Sequence, residues 1–305
     1  GLSRILCVID GMTDPQFQAE RYSHLASMRL DRYVDTCGGR PPETLHCVLR
    51  LLGVAEPPAH LRGYVEALGA GITVRADDLI LRGSCYVLDG QGRCTIPCRA
   101  PAAVEDPSFT YYRLGSYQAL LVFPHMAHAV ENIVTRIPCG GQQAFCPRGS
   151  ALLRHTFEKL ATREKCMLLW GQSAAVELPP FPERSAAVCG KELVKGIARL
   201  LRMDIPVQRG ATGDVDTDLS AKTEAALRAA EQYPFVLLHI NGADEAAHRH
   251  DPAEKEAFLR RVDEQVLPRL LASSHEVYVV SDHGTDPESG AHLGGEQPLF
   301  TNRRR

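Results

Sequence analysis

The sequence predicts an α/β protein built on an open, mainly parallel sheet and interrupted by a separate α+β segment. Residues 4–9, 235–240 and 278–280 are continuous apolar runs rather than alternating ones, as expected of strands buried on both faces of a parallel sheet. Each run stops abruptly on polar groups: Asp10, Asn241, and Ser281-Asp282-His283. From about residue 57 to 160 the texture changes to Gly-rich turns and short β-prone runs, the mark of an insertion with its own architecture. The expected organisation is a discontinuous core, 1–56 and 161–305, with 57–160 inserted as a smaller cap.

Composition narrows the function. With 305 residues, 44% of them hydrophobic, the chain can bury a substantial core. A formal charge of −3 provides no broad field for nucleic acid or an anionic membrane, and the one basic run, Arg303-Arg304-Arg305, reads as a solvated tail. Ten cysteines are scattered singly, without a zinc-like pair of C-x-x-C motifs, so they read as reduced thiols. The apolar stretch at 4–9 is too short for a signal h-region or a membrane span. A cytoplasmic protein without membrane or nucleic-acid partners is expected, its oligomeric state left open.

In chain order, the strand at 4–9 delivers Asp10-Gly11-Met12, a carboxylate at a strand tip followed by a residue that permits close approach. The loop Cys37-Gly38-Gly39-Arg40-Pro41-Pro42 leads into a helix over 43–53. Thr44 falls in its first turn, where a threonine ordinarily caps; the other reading is a nucleophile at the positive end of a helix. Within the insertion, 78–82 and 84–88 read as strands and Asp89-Gly90-Gln91-Gly92 as a turn. Strand–helix alternation then resumes: a strand at 165–170, an amphipathic helix at 192–203, a short strand at 205–207 and a helix at 221–232. The loop Gly210-Ala211-Thr212-Gly213-Asp214-Val215-Asp216-Thr217 lacks the Gly-Lys-Ser/Thr ending of a Walker loop. Beyond the strand at 235–240, Asp244 and His248 are one helical turn apart and so share a face. A helix over 252–271 precedes the last strand.

A turn or a cap would explain any one of these polar residues. Together, Asp10, Thr44, Asp244, His248, Asp282, His283 and His292 gather at strand ends, where open α/β sheets bind ligands. Mixed carboxylate and imidazole ligands suit zinc, manganese or iron, and seven are too many for one ion, so two metals are expected.

Asp10-Gly11-Met12, Asp244-Glu245-Ala246-Ala247-His248, Ser281-Asp282-His283-Gly284 and Ala291-His292, in that order, resemble the alkaline phosphatase superfamily. More closely, the chain resembles the archaeal-type cofactor-independent phosphoglycerate mutases. Arg62 to Ile72, Asp78 to Arg82, Leu169-Trp170-Gly171, Leu193 to Ala198, and the segment from Gly210 to Thr217 with Lys222 are similar to that family's motifs.

The resemblance implies an alkaline-phosphatase-like three-layer core with an inserted α+β cap. It implies one metal on Asp10, Thr44, Asp282 and His283, a second on Asp244, His248 and His292, and divalent manganese, zinc or magnesium in both places. Thr44, placed by counting back from Leu52-Gly53, would accept the phosphoryl group where the family usually has serine. The substrate would be a small phosphorylated metabolite, with 2- and 3-phosphoglycerate interconverted as in glycolysis. Arg62 and Arg82 are expected to contact its anionic groups and His125 to assist proton transfer. The insertion is shorter than the family's cap and the chain runs on only briefly beyond His292, which brings forward a phosphatase or phosphonate hydrolase as the alternative. A phospho-ligand-binding relative without turnover is a further one. Asp216 and Lys222 read either as functional or as a structural pair.

Overall fold

The computed structural model describes residues 2–207, 214–215 and 217–304. Gly210 to Gly213 and Asp216, singled out above, lie outside the described residues. The backbone divides into two units, Gly1–Pro57 with Leu178–Arg305, and Pro58–Glu177.

In the first unit the apolar runs form a six-stranded sheet in the order Arg29–Asp35, Glu296–Thr301, Glu276–Val280, Arg4–Ile9, Phe235–Ile240, Ser185–Val188. The last four are parallel, with Ile5 level with both Val277 and Val236. The first two join antiparallel. Ile5, Cys7 and Ile9 point into a cluster with Ala225, Ala226 and Ala229 of the Leu219–Ala230 helix and with Phe258 and Val262 of the Pro252–Gln265 helix. Leu6 and Val8, on the other side of the same strand, are buried as well. An apolar run without alternation is what a strand covered on both faces requires.

Pro252–Gln265 starts where the sequence directs: Asp251 accepts a hydrogen bond from the Glu254 amide and Pro252 fills the first turn. The single helix expected over 252–271 is two, because Pro268 cannot donate and sits in the first turn of Leu267–Ala272 instead.

Two further local expectations need correction, and two strands of the sheet were not among those expected. No strand forms at 205–207; the sheet edge is Ser185–Val188, too short and too small in its side chains to stand out. Arg29–Asp35 went unread because most of its residues are exposed. Glu296–Thr301, beyond His292, completes the sheet. The strand expected at 165–170 as part of the core is Lys165–Ser173, and it pairs antiparallel with Leu79–Leu88. The second unit therefore runs past 160 to Glu177.

That second unit is an antiparallel sheet centred on Leu79–Leu88, one strand rather than two. Gly83 does not break it, since the pairing with Gln118–Phe123 continues through Gly83 and Ala119. A Cβ there would approach the Met167 sulfur to 2.6 Å, so glycine serves close packing. Among the described residues no helix is long and apolar enough to cross a membrane.

Phe258 is 2% exposed, and its ring lies where a Cβ on Gly242 would meet it at 2.5 Å. Gly242 opens the helix that carries Asp244. Phe258→Ala is expected to lower the unfolding free energy by about 3–5 kcal/mol, read from urea-induced unfolding.

Candidate metal centre

Parallel strands deliver backbone in one direction, so their carboxyl ends lie along one edge of the sheet. There Arg4–Ile9 ends in Asp10, Phe235–Ile240 runs into the Gly242–His248 helix, and Glu276–Val280 ends in Ser281-Asp282-His283. Gly11, next to Asp10, has φ +69°, and a Cβ on it would come within 2.6 Å of Thr285 Oγ1 and 2.9 Å of Asp244 Cα. Only glycine fits that corner.

Two triads result, Asp10 with Asp282 and His283, and Asp244 with His248 and His292; within each, the candidate ligand atoms lie no more than 4.8 Å apart. His283 Nε2 is 3.3 Å from Asp10 Oδ1 and 3.4 Å from Asp282 Oδ2. His248 Nε2 is 3.2 Å from Asp244 Oδ2, and His292 Nε2 is 3.4 Å from Asp244 Oδ1 and 3.0 Å from His248 Nε2. The His283 and His292 rings stack at 3.9 Å, which makes the two triads neighbours.

Backbone carbonyls settle the tautomers. His283 Nδ1 donates to Gly284 O at 2.8 Å and His292 Nδ1 to Pro42 O at 2.8 Å. A carbonyl only accepts, so each Nε2 turns its lone pair inward, as metal-ligating imidazoles do. Thr285 Oγ1 donates to Asp244 Oδ1 at 2.6 Å, and Asp282 Oδ1 accepts from the amides of His283 at 2.8 Å and Gly11 at 3.2 Å. Thr36 hydrogen-bonds the Asp282 carbonyl.

The donor set suits a cation by a direct observation: Asp10 Oδ1 and Asp282 Oδ2 are buried with no hydrogen-bond partner. Orphaned carboxylate oxygens cost several kcal/mol in a dry interior unless a positive charge compensates them (~several, by the penalties for unpaired buried ions). Burial and the charge of Asp244 drive the Asp10 carboxyl up, but the His239 ring and the charges of Lys191 and His283 outweigh them and hold it at about 2. Asp282 goes the other way, well above the carboxylate range, through burial and the charge of Asp10 beside it. Burial would raise Asp244 too, yet its contacts with His248 and His292 keep it well below.

Thr44 is the first residue of the Thr44–Leu51 helix, and the capping position before it, Glu43, makes no side-chain cap. Its hydroxyl does not cap either. It donates to Asp10 Oδ2 at 3.3 Å and faces His283 Nε2 at 3.3 Å. Of the two readings of Thr44, the ordinary one is overturned.

Arg62, Arg82 and His125 all lie in the second unit. Arg62 and Arg82 share the Glu66 carboxylate at 2.9 and 3.2 Å, and both guanidinium groups lie over the Trp170 ring. Burial alone would raise Glu66, but the two arginines hold it below its usual range. His125 is exposed, has φ 61° and pairs with Asp77 at 2.5 Å. Lys222, read with Asp216 as a possible pair, is fully buried and donates to the His239 carbonyl at 3.2 Å.

Sequence reasoning missed two residues. His239 is buried with Nε2 3.6 Å from Asp10 Oδ2, and as the one polar residue in an apolar strand it was a readable signal. Lys191, its Nζ 3.9 Å from Asp10 Oδ2, follows a strand that was itself unread.

Comparison with known proteins places the chain in a family. Residues 182–301 match the Metalloenzyme superfamily. A 2,3-bisphosphoglycerate-independent phosphoglycerate mutase of Methanococcus aeolicus is 34% identical, across 98% of this chain and 88% of its own. The chain belongs to that family of mutases. A second member, from Archaeoglobus fulgidus, is 27% identical across 93% of this chain and 86% of its own. Among solved structures, a Pyrococcus horikoshii protein superposes with a TM-score of 0.73 at 19% identity, covering 98% of this chain and 87% of that one. The cofactor-independent phosphoglycerate mutase of Thermoplasma acidophilum gives 0.56 at 18%, covering 99% and 89%. Membership in the family makes the chain an enzyme with an alkaline-phosphatase-like α/β fold, as the sequence motifs led one to expect.

Manganese at about 100 times its dissociation constant is expected to stabilise the protein by about 2.7 kcal/mol, read as a rise in melting temperature reversed by chelation. Asp282→Asn should abolish most of that rise. An equal rise in the variant would rule Asp282 out as a ligand.

Proposed function

We propose that the chain interconverts 2- and 3-phosphoglycerate through a phosphothreonine at Thr44, with divalent ions held by Asp10, Thr44, Asp282 and His283 and by Asp244, His248 and His292. The observation that carries this reading is the Thr44 hydroxyl, which forgoes helix capping and points into the Asp10 triad. The family of the relatives supplies the substrate class. Bound ions would supply the charge that lowers the pKa of the hydroxyl and offsets that of the phosphoryl oxygens.

The residues account for the rest. Asp10 Oδ2 accepts the Thr44 hydroxyl hydrogen and so sets the direction of the oxygen lone pairs. The Thr44–Leu51 helix presents its amino end there, favourable for an incoming anion. In the first half-reaction a bond forms between Thr44 Oγ1 and phosphorus while the ester bond to glycerate breaks, and the departing oxygen takes up a proton. In the second half-reaction the neighbouring hydroxyl of the retained glycerate gives up its proton and attacks phosphorus, the bond from phosphorus to Thr44 Oγ1 breaks, and Thr44 takes back the proton it lost in the first, so the sum is an isomerisation. Retention of glycerate demands exclusion of water, the role proposed for the Pro58–Glu177 unit. In this reading Arg62 contacts the substrate anion, Arg82 holds Glu66 and Arg62 in place, and His125 carries a proton.

The test is incubation with 3-phosphoglycerate and manganese, measuring 2-phosphoglycerate by enolase coupling and free phosphate in parallel. Production of 2-phosphoglycerate is expected, with Thr44→Ala slower by about 10⁴-fold and Thr44→Ser active. Free phosphate without 2-phosphoglycerate would replace the mutase by a hydrolase.

A further inference from the structure

Lys255 is the fourth residue of the Pro252–Gln265 helix and is only 1% exposed, a setting that disfavours an ammonium twice over. The amino end of a helix is its positive pole, and burial strips the charge of water. Burial carries the Lys255 pKa below the ordinary lysine value, against the pull of the Asp14 carboxylate. Phe258, Leu259 and Val262 are buried on the same helix, so an apolar side chain would satisfy its packing. Something other than helix formation or core filling is served.

The contacts of the ammonium account for it. Nζ donates to Asp14 Oδ2 at 2.6 Å, to Thr285 O at 2.9 Å and to Thr13 O at 3.3 Å. An ammonium has three hydrogens, and these three acceptors take them all, so none is left for a substrate. The charge is matched as well, by the Asp14 carboxylate in direct contact. What Lys255 contributes is therefore the fixing of backbone. The two segments that it fixes are those just after Asp10 and just after His283.

Thr285 carries that constraint to the Asp244 triad. Its amide donates to Thr13 O at 2.9 Å, which joins the two gripped segments to each other. Its hydroxyl donates to Asp244 Oδ1 at 2.6 Å, and its backbone pairs antiparallel with His292. Asp244 and His292 are two of the three residues of their triad, so a displaced Thr285 would disturb both. The Asp10 triad depends on it less. Thr285 Oγ1 lies 3.4 Å from His283 Nδ1, but that nitrogen already donates to Gly284 O at 2.8 Å, and Asp282 Oδ1 is held by the amides of His283 and Gly11.

We propose that Lys255 is a positioning residue that locks Thr285 in place and, through its hydroxyl, sets the affinity of the Asp244–His248–His292 site for its ion. This rests on the reading of that triad as a metal site. The alternative role is a buried ion pair with Asp14 that merely ties two loops to a helix.

The experiment measures manganese binding by calorimetry in the full-length wild type, in the double variant Lys255→Met with Asp14→Asn, and in Thr285→Val, alongside turnover of 3-phosphoglycerate. Lys255→Met alone would leave the Asp14 carboxylate buried without its partner. The double variant removes both charges and keeps an acceptor for the Gln16 amide, which Asp14 Oδ1 now serves at 2.7 Å. Wild type should bind two equivalents. In the double variant one should keep its affinity and the other weaken by about 10- to 100-fold, the usual effect of losing a group that orients a ligand. Thr285→Val should weaken the same equivalent, and combining it with the double variant should add little, because both act through one hydrogen bond. Turnover at limiting manganese should fall by a like factor and recover when manganese is raised by about 100-fold, with the KM for phosphoglycerate changing far less. A folded double variant that binds both equivalents at wild-type affinity would overturn the proposal and leave Lys255 as the ion pair. Equal weakening of both equivalents, or fully additive losses, would overturn it too. Should the double variant not fold, undiminished manganese binding in Thr285→Val overturns it equally. A wild type that binds no manganese rejects the metal reading and this proposal together, whereas one that binds two ions in a Lys255-dependent way without isomerising phosphoglycerate rejects the mutase alone.

Discussion

Asp10 and Asp282 are buried side by side with one oxygen each left unpartnered, and that enforced crowding of negative charge is the constraint on which the rest of the site depends. Like charges in a dry interior repel strongly, and folding alone gains nothing from placing them together. The crowding is eased by the groups placed against it: the His283 ring between the two carboxylates, the His239 ring behind Asp10, and the Lys191 ammonium at its edge. A site of this kind is held ready for a metal by its surroundings. The backbone carbonyls of Gly284 and Pro42, which turn two imidazoles inward, and the amides that hold one oxygen of Asp282 belong to the same preparation.

The parallel sheet makes this crowding possible. Strands buried on both faces cannot shift register without losing their packing, so Asp10 and Asp282 are held at fixed heights relative to one another. Gly11 then bends the chain at a corner where any side chain would strike Thr285 and Asp244. Thr44 comes from a helix instead of a strand, and its hydroxyl is free for Asp10 because the first turn of that helix goes without a side-chain cap. The second unit brings a different electrostatic device, two arginines sharing Glu66 over the face of Trp170, a guanidinium pair whose mutual repulsion one carboxylate offsets.

Much of this was legible in the chain. Apolar runs that end on acids announced the strands and the positions of Asp10 and Asp282; the four-residue spacing of Asp244 and His248 announced a shared helical face. What escaped notice did so for physical reasons. Ser185–Val188 is four small residues long, so its burial leaves no hydrophobic signature, and Lys191 was hidden with it. Arg29–Asp35 is an edge strand with polar residues turned outward. The strand at Lys165–Ser173 is as apolar as those of the parallel sheet, and only its antiparallel partner Leu79–Leu88 assigns it to the second unit.

By itself, the sequence determined the α/β class, the family resemblance and the identity of the seven ligand candidates, because periodicity, strand-end polarity and short spacings are local properties of the chain. Tertiary structure alone decided that the Thr44 hydroxyl turns to Asp10 instead of its own helix, that the His292 ring is fixed by the Pro42 carbonyl, and that a lysine at a helix start stands against the cluster. Those are relations between residues as many as 250 positions apart, such as His292 and Pro42. No local pattern encodes them, since they follow from the order in which strands assemble into a sheet.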